Sequence, residues 1–137
     1  MKMIRLLLAV TLLVPFFIAN AQTGNKEKSA NEKIEAYYFH FTARCMTCRT
    51  VEERAKENLG DLYPDQVKAG TITFQAANLN EKEGEELAKK LGISGQTLLL
   101  VKGPKQINIT NEAFLYAVTK PEKYKAIIKE KVDELNK

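Results

Sequence analysis

One histidine and two cysteines are all the imidazole and thiol groups this chain carries. That is too few for a zinc centre built from cysteine and histidine alone, which takes about four ligands. Covalent haem attachment is excluded too, because Arg49 stands where the histidine after the second cysteine would have to be. No motif for binding flavin or nicotinamide is present, so any redox chemistry must run without a bound cofactor of that kind. Neither sign of charge dominates: the net charge is +4, and such mild basicity argues against nucleic acid as a partner. There are no internal repeats and no low-complexity segments. The longest apolar run, Leu6 to Ile18, contains Pro15 and is shorter than the roughly 20 residues that span a bilayer.

That run instead has the layout of a secretory signal. Lys2 and Arg5 supply the positive end, Leu6 to Ile18 the apolar stretch, and Ala19-Asn20-Ala21 the small residues of a cleavage site. The alternative is an uncleaved anchor. Cleavage after Ala21 leaves 116 residues and takes the net charge from +4 to +2 through loss of Lys2 and Arg5. The mature chain is then not membrane-spanning. Export places it where disulfides form and persist, such as a bacterial periplasm. Residues 22–32 are polar and without apolar periodicity, a flexible leader. The remaining residues, 33–137, suffice for one domain with a modest core.

Within that domain, Ile34 to Phe41 is aromatic and nearly all apolar at its end, as in a strand buried on both faces. Cys45 then opens a helical stripe through Cys48, Val51, Ala55 and Leu59 that Gly60 should close. A second strand is expected over Thr71 to Ala77. Asn80 reads as the N-cap of a helix through Leu91, with Glu83 at its third position and Gly92 past its end. Thr97 to Val101 is a third strand; Gly103-Pro104 marks a turn, and Gln106 to Thr110 alternates like a half-buried strand. A short helix fits Glu112 to Val118, and Tyr124, Ile127, Ile128, Val132 and Leu135 form the docking face of a last helix starting near Pro121. This order predicts an α/β fold with a mixed sheet and helices on both faces. The cysteines then lie between the carboxyl end of a central strand and the following helix, where chemistry gathers in open α/β sheets.

Cys45-Met46-Thr47-Cys48 is the stretch that carries chemistry. At the helix start Cys45 faces the positive end of the helix dipole and unbonded backbone amides, which favour its thiolate. Arg44 and Arg49 add to this if their guanidinium groups turn toward the sulfur; otherwise they are solvated helix-start residues. Cys48, one turn deeper on the core-facing stripe, suits a resolving thiol that releases a mixed disulfide. Other readings stand beside this one. A purely structural disulfide closing so short a loop removes little unfolded-state entropy. A soft metal or metalloid held by the two thiolates, with carboxylates completing the set, makes the chain a noncatalytic binding module. Met46-Thr47-Cys48 also opens a copper-chaperone pattern, but Val51 stands at its second cysteine. His40 reads as a satisfied strand residue, with proton shuttling for Cys48 or metal ligation as alternatives. Asn108-Ile109-Thr110 fits the N-glycosylation triplet inside an expected strand, and so carries little weight.

The strand Ile34 to Phe41, the Cys45-Met46-Thr47-Cys48 motif and the segment Leu91 to Val101 together resemble the thioredoxin-like superfamily, from Lys33 to the C-terminus. The resemblance implies a three-layer sandwich around a four-stranded mixed sheet, with Cys45 as nucleophile and Cys48 as resolving thiol. It implies a protein or small-molecule disulfide as substrate and a membrane electron donor. Tyr37 to Arg49 is similar, more narrowly, to a small exported thioredoxin-like group described as a nitrophenyl-compound nitroreductase subunit linked to aromatic arsenical efflux. In that setting electrons for nitro reduction come from another subunit. Three departures stand out. Gln96-Thr97 occupies the place of the family's cis-proline, and a cis bond there would cost about 2.5–4 kcal/mol, so a trans peptide is expected. Tyr38 or Phe39 replaces the buried acid that assists the resolving cysteine, and Met46-Thr47 replaces Gly-Pro.

Overall fold

A computed structural model describes residues 33–137; the expected signal segment (1–21) and leader (22–32) lie outside the described residues. The elements follow as β1 (Ile34–His40), α1 (Met46–Leu62), α2 (Pro64–Ala69), β2 (Ile72–Asn78), α3 (Lys82–Leu91), β3 (Thr97–Lys102), β4 (Lys105–Asn108), α4 (Thr110–Tyr116) and α5 (Pro121–Leu135). The four strands form one mixed sheet in the order β2-β1-β3-β4. β1 and β2 are parallel, while β3 runs antiparallel to β1 and to β4.

Side chains alternate across the strands and so feed two cores. On one face, Ala36, Tyr38, Leu98 and Leu100 pack with Val51, Ala55 and Leu59 of α1, Ala113 of α4, and Tyr124, Ile128 and Val132 of α5. On the other face, Tyr37, Phe39, Leu99 and Val101 share a smaller cluster with Ala88 of α3. β1 is therefore buried on both sides, as its unbroken apolar run requires. Burying one aliphatic side chain of this kind stabilises the fold by about 1.5–3 kcal/mol. Tyr124 is fully buried and keeps its hydroxyl satisfied by donating to the Val51 carbonyl at 3.2 Å.

Several boundaries depart from the sequence-based expectation, each for a local reason. α1 does not stop at Gly60 but runs to Leu62, with Leu62 and Tyr63 packed at the rim of the larger core. Its stop is Pro64, since a residue before proline is steered away from helical angles; Tyr63 sits at φ −136°. α2 was not expected at all, because it buries no residue and leaves no apolar periodicity. Its signals are only Pro64 at the start and Gly70 at φ 74° past the end. The N-cap of α3 is Glu81, not Asn80, whose side chain is engaged elsewhere. β4 ends at Asn108, and α4 starts at Thr110, two residues earlier than expected. There the Asn108 side chain accepts the Thr110 amide at 3.0 Å and turns the chain.

Candidate functional site

β1 ends at His40 and α1 starts at Met46, so Phe41 to Cys45 bridge strand and helix at the carboxyl end of this interior strand. Cys45 is the N-cap of α1, with extended backbone angles of φ −75° and ψ 166°. Its carbonyl takes the first helical bond, from the Arg49 amide at 3.2 Å. Its sulfur does the work that serine or aspartate oxygen does in other helices: Sγ accepts the Cys48 backbone N–H at 3.1 Å. The first turn of α1 holds no acidic side chain to oppose negative charge on that sulfur.

Cys45 and Cys48 are joined in a disulfide with their Cα atoms 5.1 Å apart, inside the separation of about 4.4–6.8 Å that such bonds take. The two sulfurs have unequal surroundings. Cys45 is exposed, whereas Cys48 is 7% exposed and belongs to the buried stripe of α1. Two apolar side chains of the same segment are also exposed: Met46 is 84% and Phe41 44% exposed. Phe41 also lines a recess of about 290 Å³ with Leu79, Ile93 and Ser94, which Glu85 and Lys89 border.

The loop before Cys45 is tied to a partner loop far away in sequence. The parallel register sets His40 beside Asn78, so the chain leaves β1 and β2 at the same end of the sheet. The Thr42 amide donates to Asn80 Oδ1 at 2.8 Å, and Asn78 Nδ2 donates to Thr42 Oγ1 at 3.0 Å. Asn78 also accepts the Asn80 amide and donates to Glu81, each at 3.0 Å. These residues carry no chemical signature in the sequence. What could have found them is the parallel pairing of β1 and β2, which brings both strand ends together.

Of the expected site residues, Arg44 and Arg49 stay beside the cysteines but differ in role. Arg44 forms an ion pair with Glu52, one turn beyond Cys48 on α1, while Arg49 is exposed. Together with Glu53 these residues line a recess of about 250 Å³. His40 is buried, and its Nδ1–H donates to the Phe41 carbonyl at 3.0 Å, the reading of a satisfied strand histidine. Gln96 donates to the hydroxyl of Tyr38, and Thr97 donates to the Gly95 carbonyl at 2.9 Å. The peptide between Gln96 and Thr97 is trans, as are all others among the described residues.

Tyr38 is the residue that faces α1; Phe39 points to the opposite core. Burial raises the Tyr38 pKa above its ordinary value, the Gln96 hydrogen bond opposes that shift, and the nearby Glu52 and Arg44 charges push it up and down respectively. A neutral phenol thus stands where the resemblance leads one to look for a buried acid. Glu52 does not stand out in the sequence, where it is one of several charged residues on α1 beside Glu53, Arg54 and Lys56. Its spacing of four from Cys48 was the available signal, since such residues share a helix face.

Among the described residues, no group of three or more histidine, cysteine, aspartate or glutamate side chains converges as a metal-ligand set. Nor is any described helix long and apolar enough to cross a membrane. A third recess, of about 290 Å³, near Lys102, Leu135 and Lys137, lies at the end of the sheet opposite the sulfurs.

No family model and no curated protein matches the sequence. Solved structures do resemble the fold. Thioredoxin O2 from Arabidopsis thaliana, in its oxidized state, superposes with a TM-score of 0.50 at 19% identity, over 76% of this chain and 83% of that one. A malarial protein superposes with a TM-score of 0.39 at 18% identity, over 61% of this chain and 93% of that one. The fold is thioredoxin-like, with a four-stranded mixed sheet between helical layers.

Proposed function

We propose that this protein is an exported thiol-disulfide oxidoreductase in which Cys45 is the nucleophile and Cys48 the resolving thiol. One observation carries the reading: an exposed sulfur capping a helix and accepting a backbone N–H, joined to a buried one. The same N–H and the helix dipole would stabilise a thiolate at Cys45 in the reduced protein.

In the reducing direction, the Cys45 thiolate attacks one sulfur of a substrate disulfide. A new intermolecular S–S bond forms, the substrate bond breaks, and one substrate thiolate leaves. Cys48, once deprotonated, attacks Cys45 Sγ, closes the internal disulfide and releases the second substrate thiolate. Two electrons pass to the substrate, and the Cys45–Cys48 disulfide must be reduced by a donor, which for an exported chain is a membrane dithiol. The apolar surface of Phe41 and Met46 beside Cys45 fits a protein disulfide better than a small charged one.

Export rests on the signal-like residues 1–21 and makes the bacterial periplasm the working compartment. The narrower kinship with the exported nitroreductase-subunit group rests on Tyr37 to Arg49. On that basis the chain relays electrons to a second subunit that carries the nitro-reducing chemistry.

Insulin reduction by dithiothreitol tests the reading. Cys45→Ser should abolish catalysis, and Cys48→Ser should accumulate mixed disulfides with substrate. Full activity in both single variants would sink it. Tight thiolate capture of a soft metal or metalloid, with no turnover, would replace it with the binding module.

A further inference from the structure

We propose that the Arg44–Glu52 ion pair holds the redox poise of the Cys45–Cys48 pair at the value its helix N-terminus sets, by cancelling two opposite charges that flank the Cys-x-x-Cys segment. The inference rests on the oxidoreductase reading and assigns that site a positioning device.

Arg44 immediately precedes Cys45, and Glu52 follows Cys48 by one helical turn. Their ion pair therefore closes across the whole Cys-x-x-Cys segment. The two side chains are 26% and 24% exposed, so the pair is neither a free rim contact nor a buried one. Other groups near it cannot replace it. Tyr38, from β1, is buried and accepts a hydrogen bond from the uncharged Gln96. His40 is buried and bonded to the Phe41 carbonyl. Tyr124, from α5, is bonded to the Val51 carbonyl. Arg49 and Glu53, the other charges of the recess, have opposite signs.

A cation near a sulfur favours its thiolate, and an anion disfavours it. Paired, Arg44 and Glu52 nearly cancel, which leaves the helix N-terminus to set the acidity of Cys45. Removing one partner uncovers the other. Glu52→Gln exposes the Arg44 charge, stabilises the reduced dithiol and makes the pair more oxidising. Arg44→Gln exposes the Glu52 carboxylate and makes it more reducing. A purely structural strap predicts no such opposition, since either substitution would loosen it alike.

The test uses the mature chain in wild-type, Glu52→Gln, Arg44→Gln, double-glutamine and Arg44→Lys forms, each checked for folding by circular dichroism. Two quantities are read: the pH profile of Cys45 alkylation by iodoacetamide in the reduced protein, and the equilibrium with glutathione. The single glutamine variants should move the alkylation midpoint in opposite directions by roughly half a pH unit, the size expected of a unit charge about one helical turn away in a largely solvated setting. Their equilibrium constants should shift about threefold, also in opposite directions, the double variant should return near wild type, and Arg44→Lys should stay there. Shifts of the same sign, no shift, or Arg44→Lys behaving as Arg44→Gln would overturn the proposal. Absence of a reversible two-electron transition in the wild type would instead overturn the oxidoreductase reading. Alkylation needs no turnover, so it still decides the role of the ion pair.

Discussion

Gly84 is where packing and the site meet, and replacing it should be costly for a calculable reason. A Cβ at this position would lie 2.0 Å from the carbonyl oxygen and 2.6 Å from the carbonyl carbon of Asn78, both backbone atoms. To bring that contact back even to 3.0 Å, the start of α3 or the end of β2 must move by about 1 Å, and overpacking of this kind costs about 1–3 kcal/mol or more. Against it stands the gain from replacing glycine by alanine in a helix, at most about 1 kcal/mol. Overlap wins, and Gly84→Ala should be destabilised by a net 1–2 kcal/mol or so, about 4 °C in Tm per kcal/mol for a domain of this size. The internal control is Gly60, inside α1, where an added Cβ meets nothing within 4 Å. There the same substitution should stabilise by about 0.5–1 kcal/mol. Urea unfolding followed by circular dichroism measures both. Because Asn78 holds Thr42 beside the cysteines, Gly84→Ala should also alter the rate at which dithiothreitol reduces the disulfide. If Gly84→Ala unfolds at or above the wild-type midpoint, the close approach of α3 to β2 is refuted.

Two further outcomes follow from the polar groups. Burial raises the pKa of Tyr37 to about 12 and those of Tyr38 and Tyr124 above their ordinary value, while burial with the Asp133 hydrogen bond does the same for Tyr63. Only half-buried Tyr116, beside Lys123, is lowered. The unfolded chain ionises these phenols near pH 10 and the native chain later, so above about pH 10 the unfolded state holds fewer protons. Stability should be fully present below that pH and decline as it rises toward 12. Absorbance at 295 nm should show one tyrosine ionising first and four following with loss of structure; five ionising together in the folded chain would contradict this assignment. Separately, Asn78→Ala removes side-chain bonds to Thr42, Asn80 and Glu81. It should cost about 1–2 kcal/mol and speed amide exchange at Thr42 above that of the wild type; unchanged exchange would show that these bonds do not hold the loop.

Much of the sheet and of the cysteine site was legible in the sequence because it rests on short-range signals. The apolar run at β1, the stripe from Cys48 to Leu59 and the glycine after α3 each announce an element within a few residues. What was not legible depends on neighbours far along the chain. Asn80 looked like a helix cap because its own segment offers an N-terminus, yet its oxygen serves Thr42, 38 residues away. α2 could not be seen through apolar periodicity because it buries nothing. Glu52 sat among other charged positions of α1, and only the path of residues 41–45 brings Arg44 to it. Tyr38 and Phe39 could not be ranked as the residue under the cysteines until the pleat sent one to each face.

That pleat and the helix phase together set the order of chemical steps available to the pair. Cys48 follows the N-cap by three residues and so turns onto the stripe with Val51 and Ala55, which the core covers. Cys48, a residue only 7% exposed, is poorly placed to meet a bulky disulfide from outside; its ready partner is the neighbour to which it is already joined, at a Cα separation of 5.1 Å. Cys45 is exposed and caps α1, with the Cys48 backbone N–H reaching its sulfur. On the proposed oxidoreductase reading, attack from outside falls to Cys45 and resolution to Cys48.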